Sequence, residues 1–132
     1  MNRVFVDTSA IIAFLSGEDA NHEKAVTGFS ELERLRSSLF STSYVLVETY
    51  ALLVRRFGKA PAVQFRRGFE PLLEIVWVDQ SLHDAGLDLL FSNKGRRLSL
   101  VDVVSFAAMR SLRINTAFAY DAHFEQAGFE TL

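Results

Sequence analysis

The sequence predicts an α/β domain built on a parallel sheet with helices on both faces. Short apolar, β-branched runs alternate with amphipathic stretches along the whole chain, the pattern of repeated strand–helix–strand units. The runs are apolar almost throughout, as in strands buried on both faces. The chain has 132 residues, 49% hydrophobic, with only two prolines. That suffices for one core, whereas two halves would each be too small to stand alone. A single domain over residues 1–132 is expected.

The elements follow in order. Arg3, Val4, Phe5 and Val6 form the first strand, stopped by Asp7. Thr8 and Ser9 are the expected caps of a helix over residues 10–15, which ends at Ser16 and Gly17. Residues 21 to about 36 read as a helix, with Ala25, Phe29, Leu32 and Leu35 on one side. Residues 39–42 make the second strand, and Ser43 is the expected cap of a helix reaching Phe57 and closed by Gly58. Pro61 fits the first turn of a helix that runs to about Leu73. Residues 74–78 are the third strand, which takes Trp77 into the core. A helix over residues 81–92 turns Leu82, Ala85, Leu89 and Leu90 inward, and residues 94–97 are a loop. Ser99 caps the next helix, which ends near Leu112, with Asp102 at its third position as in a capping box. Residues 116–120 form strand four and residues 129–132 a short fifth.

Composition removes several function classes. There is no cysteine, so disulfide scaffolds, zinc ribbons, iron–sulfur centres and thiol nucleophiles are excluded. No stretch approaches the ~20 apolar residues of a spanning helix, and Arg3 interrupts any signal-peptide core. A soluble, cytoplasmic protein without a membrane partner is expected. The net charge of −2 gives no bulk attraction to polyanions. Of the 14 cations, however, 11 are arginine, whose planar fork suits phosphates and carboxylates. They fall in two groups, one containing Arg55 and Arg56, the other Lys94, Arg96 and Arg97. These are either solvated helix faces and loops or a rim that contacts phosphates.

Most of the 16 acids sit where solvent would have them, but four do not. Asp7 ends the first strand and Asp121 the fourth; Glu48 and Asp102 each interrupt an apolar stretch of a helix. Singly, each has an ordinary explanation as a turn residue or a first-turn acid. Together they share one edge. In an open parallel sheet, ligands bind outside the carboxyl ends of the strands at the switch in strand order, and all four acids belong to segments that begin or end there. Four carboxylates meeting at one place require a multivalent cation to remain ionised. Hard oxygen donors favour Mg²⁺ or Mn²⁺ over zinc. Metal-dependent hydrolysis of a phosphodiester is the chemistry that such a cluster supports.

The segments Val6-Asp7-Thr8-Ser9-Ala10, Val47-Glu48, Leu98 to Phe106 around Asp102, and Tyr120 to Phe129 around Asp121 together resemble the PIN domain, and within it the VapC-type ribonuclease toxins of toxin–antitoxin systems. The resemblance runs from residue 3 to residue 132. It implies a three-layer α/β/α fold with a central parallel sheet of four or five strands, and Mg²⁺- or Mn²⁺-dependent endoribonuclease activity. It further implies a homodimer silenced by an antitoxin lying in an apolar groove. Asp7, Asp102 and Asp121 would hold metal directly or through water, and Glu48 would bind metal or orient water. Ser9 would fix the carboxylates through its hydroxyl. The chain departs from many relatives at Ala119 and Ala122, on either side of Tyr120 and Asp121.

Other readings have less behind them. His123 invites a role as base or ligand, but beside Phe124 it also reads as a packed or capping group; His22 and His83 suggest nothing. Ser99 and Ser105 lack a histidine–acid pair to activate them. An aspartyl-phosphate enzyme would want an acid at position 9, where Ser9 stands. A PIN-like module that binds RNA or protein without cutting would be marked by loss of an acid. Twelve phenylalanines are many for one core, and Phe14, Phe65, Phe69 and Phe91 are either core or the walls of an exposed groove.

Overall fold

The computed structural model describes residues 2–93 and 97–132. Five parallel strands, β1 (Arg3–Val6), β2 (Ser38–Thr42), β3 (Leu73–Val76), β4 (Thr116–Phe118) and β5 (Glu130–Thr131), form one sheet in the order β3-β2-β1-β4-β5. The helices are α1 (Thr8–Leu15), α2 (His22–Arg34), α3 (Ser43–Phe57), α4 (Lys59–Gly68), α5 (Gln80–Ser92), α6 (Leu100–Leu112) and α7 (His123–Gln126). Chain order runs outward from β1 to β3, then returns across β1 to lay down β4 and β5. Right-handed crossovers therefore place α2 and α4 on one face and α5 and α6 on the other. This is the expected three-layer fold.

The central strand explains the apolar runs. Phe5 and Val6 are fully buried, and β1 pairs with β2 through Val4 and Leu39 and with β4 through Phe5 and Ala117. Alternation along the strands sends Phe118 to one face and Phe5 to the other. Phe118 stacks on Phe29, which meets Phe14 and Phe69 edge-on or tilted with centroids near 5 Å. Phe5 lies against Phe124, which packs edge-on to Phe106. Each face thus has its own aromatic cluster, which accounts for most of the phenylalanines. Helices α5 and α6 approach closely at Gly86, where any side chain would run into Val104.

Several expectations are corrected. Strand β3 ends at Val76, so Trp77 lies beyond an edge strand and is 72% exposed rather than core. Asp7, not Thr8 or Ser9, caps α1, because its carboxylate reaches the Ser9 N–H. Thr42 caps α3, and Ser43 instead accepts the Val78 N–H, tying α3 to the end of β3. The helix expected from Pro61 to Leu73 begins at Lys59, stops at Gly68 and gives way to a single 3-10 turn at Glu70–Leu72. In α5, Leu89 and Leu90 pack against the core as expected and Gly86 is buried with them, but Ala85 is exposed. Phe65 and Phe69 are buried, Phe14 is half-buried and Phe91 stands in solvent.

Candidate active site

The order of strands reverses between β1 and β4, and the acids collect at that point. Asp7 directly follows β1; its backbone N–H donates to the Phe118 carbonyl at 3.0 Å, continuing the β1–β4 ladder. Its carboxylate turns back to receive the Ser9 N–H at 3.2 Å and the Ser9 hydroxyl at 2.7 Å. The same hydroxyl oxygen accepts the Tyr120 N–H at 2.9 Å. A serine hydroxyl has one proton to give and lone pairs to receive. Ser9 uses both, and stitches the end of β1 to the segment that carries Asp121.

Asp102 and Asp121 are held by local turns. The capping box expected for α6 is present: Ser99 Oγ accepts the Asp102 N–H at 3.1 Å, and Asp102 Oδ2 accepts the Ser99 N–H at 3.2 Å. Asp121 Oδ1 accepts the His123 N–H at 2.9 Å and so starts α7. Fully buried Phe124 anchors this short helix against Phe5 and Phe106. The His123 ring turns toward the acids, with Nδ1 3.1 Å from Asp102 Oδ2 and 3.8 Å from Asp121 Oδ1. One ligand atom each from Asp102, Asp121 and His123 lie within 4.8 Å of one another.

Glu48 stands half-buried in the second turn of α3 and enters the same field. Thr8 Oγ1 lies 3.2 Å from Thr49 Oγ1, fastening α1 to α3 beside it. The electrostatics record the crowding. Burial pushes the Asp7 carboxyl up to about 7, with the Ser9 hydroxyl pulling it down and the charges of Asp121 and Asp102 adding to the rise. Burial likewise raises Glu48, opposed by a hydrogen bond from Thr8 and reinforced by Asp102 and Asp121. Among the described residues, no lysine or arginine forms an ion pair with any of the four acids. A cluster of carboxylates with an imidazole and no basic partner is a donor set that fits a divalent cation.

All four acids expected from the sequence, and Ser9, therefore meet at one edge. His123 joins them; its spacing two residues after Asp121 was the available signal. The basic residues divide. Arg55 and Arg56 are exposed in the last turn of α3, roughly 10 Å further along the helix than Glu48 at 1.5 Å per residue. Arg97 is exposed just before Ser99, and Lys94 and Arg96 lie outside the described residues.

A 3-2-1-4-5 parallel sheet with carboxylates from four segments at its switch point defines the class to which this protein is assigned. The PIN domain family matches residues 4–130, and the chain belongs to that family. It is similar to the 23S rRNA-specific endonuclease VapC20 of Mycobacterium tuberculosis, with 34% identity over 131 residues that cover 96% of this chain and 95% of that protein. The crystal structure of VapC20, described as a sarcin–ricin loop cleaving toxin, matches with a TM-score of 0.82 and 32% identity over 96% of this chain and 95% of that one. FitAcB from Neisseria gonorrhoeae shares the fold, with a TM-score of 0.74 at 17% identity over 98% and 96% of the two chains.

Proposed function

We propose that this protein is a metal-dependent endoribonuclease and the toxin of a toxin–antitoxin pair, and that its single PIN domain cuts large-subunit ribosomal RNA. The observation that carries this reading is the convergence of Asp7, Glu48, Asp102 and Asp121 on one sheet edge. The similarity to a 23S rRNA-specific endonuclease supports the substrate. A silent binding module would not need four intact acids facing each other at an electrostatic cost.

Asp7, Asp102 and Asp121 are the residues that would hold Mg²⁺ or Mn²⁺, directly or through water. When bound, such an ion polarises the phosphodiester and makes water more acidic. Glu48 would help bind the metal or orient the attacking water, and Ser9 would keep Asp7 in register with the Asp121 segment. Arg97, with Lys94 and Arg96, belongs to the segment leading into the helix that carries Asp102, where basic groups would steady RNA phosphates.

The partners follow the same reading. A cavity of about 410 Å³ lined by Phe14, Phe29, Leu39 and Phe69, with Glu33 and Arg36 also in its wall, would take an amphipathic segment of an antitoxin, and self-association as a homodimer is expected. Among the described residues no helix is long and apolar enough to cross a membrane, and the proposed substrate places the protein in the cytoplasm.

The test is a cleavage time course on purified ribosomes and on total RNA, with Mn²⁺, Mg²⁺ or EDTA, beside the Asp102→Asn variant. Discrete products that need metal and vanish in the variant support the reading. Cutting that persists equally in EDTA or in the variant sinks it, and products confined to transfer or messenger RNA remove the ribosomal substrate alone.

A further inference from the structure

We propose that His123 is a nitrogen ligand of the cation held at this site, so that the site takes Mn²⁺ in preference to Mg²⁺. The inference rests on the metal-dependent reading above and adds a residue and a metal preference to it. Adjacent ligands of an octahedral ion with bonds of about 2.1 Å stand about 3 Å apart. His123 Nδ1 is 3.1 Å from Asp102 Oδ2 and 3.8 Å from Asp121 Oδ1, so the nitrogen stands at ligand spacing from one carboxylate and within about 1 Å of that spacing from the other.

A second observation concerns the nitrogen itself. Nδ1 is shielded from solvent and has no hydrogen bond of acceptable geometry, although the side chain as a whole is 34% exposed. A shielded polar atom without a well-formed hydrogen bond is destabilising. A cation between this nitrogen and the two carboxylates would supply the missing partner. The backbone makes the arrangement stiff. The His123 N–H is held by Asp121 Oδ1, and neighbouring Phe124 is locked in the core. The His123 backbone and the Asp121 carboxylate are therefore held together.

The chemistry then sets the preference. Mg²⁺ takes oxygen ligands and keeps several waters, whereas an imidazole donor favours first-row transition ions. Replacing one oxygen by nitrogen tilts the site toward Mn²⁺.

The experiment uses the whole protein. Pulsed electron paramagnetic resonance of bound Mn²⁺ should show coupling to a ¹⁴N nucleus in the wild type and none in His123→Ala. Calorimetric titration should show Mn²⁺ affinity falling about tenfold or more in His123→Ala, on the scale of a lost metal-site partner, and Mg²⁺ affinity falling far less. Bound Mn²⁺ without nitrogen coupling, or equal losses for the two ions, overturns the role of His123 and leaves the metal-dependent reading standing. Absence of Mn²⁺ binding to the wild type overturns both. Should His123→Ala fail to fold, the spectrum of the wild-type protein decides alone.

Discussion

Asp7 and Asp121 follow neighbouring strands of the same sheet, but the protein holds them in opposite ways. Asp7 is 3% exposed, and its carboxylate is fixed by a hydroxyl that also grips a backbone amide from a distant part of the chain. Asp121, like Asp102, is only partly buried and takes its position from a turn closed within two or three residues. The first arrangement is exact in position but strains the charge; the second positions the carboxylates by local bonds and leaves them partly open to solvent. A cation seated among them would offset the strain at Asp7 most. Burial at Asp7 thus creates a demand for the ion, while the local caps at Asp102 and Asp121 present ligands cheaply.

The largest expected effect is on cleavage. Asp7→Asn and Asp102→Asn should each lower the rate by at least ~10³-fold, equivalent to about 4 kcal/mol of lost transition-state stabilisation, measured on ribosomal RNA at saturating Mn²⁺. Equal activity in either variant would break the assignment of that acid.

Stability in metal-free buffer should report on Asp7. The folded protein keeps the Asp7 proton up to about pH 7, whereas an ordinary aspartate gives it up near 3.8. The folded state therefore binds more protons than the unfolded one between those values, and stability falls as pH rises through this window. Below about pH 4 both states are protonated and nothing is lost. Asp7→Asn removes the effect, so the variant should exceed the wild type by about 2–4 kcal/mol at pH 8 and match it near pH 4. Urea melts at the two pH values check this, and added Mn²⁺ should favour the wild type.

A smaller effect is expected at Ser9. Ser9→Ala removes the hydroxyl shared by Asp7 and the Tyr120 amide and should cost about 1–3 kcal/mol in folding stability. It should also slow cleavage, while Ser9→Thr restores part of both. Arg55→Ala and Arg56→Ala lie at the other end of the comparison, on a solvated helix end away from the acids. They should change KM by no more than a few-fold at low salt, and less as salt rises.

Much of the fold was legible in the residues because strand burial and helix caps are local signals. The apolar runs at Val4 to Val6 and Ala117 to Phe118, and the Ser99–Asp102 box, each announce themselves within a few positions. The four acids were legible for a related reason: a carboxylate amid apolar neighbours is costly enough to need an explanation. What sequence spacing hides is the direction of a side chain. His123 beside Phe124 reads more readily as a packed or capping residue than as a ligand, and the structure instead turns its ring toward Asp102. Trp77 continued the third apolar run, yet nothing in its neighbours marks the end of an edge strand at Val76. Arg55 and Arg56 clustered in sequence with other cations, but the length of α3 carries them away from the site.

The bond between Ser9 and Tyr120 spans 111 positions of the chain, and this distance bears on when the protein can act. Contacts of such long range close late, after the intervening segments have paid the entropy of folding. A growing or half-folded chain has β1 and Asp7 but no β4 beside it, and so no place where the acids meet. A nuclease with this connectivity is inert until nearly all of it is built, and local melting of α7 alone would disarm it again while the rest of the sheet stays intact.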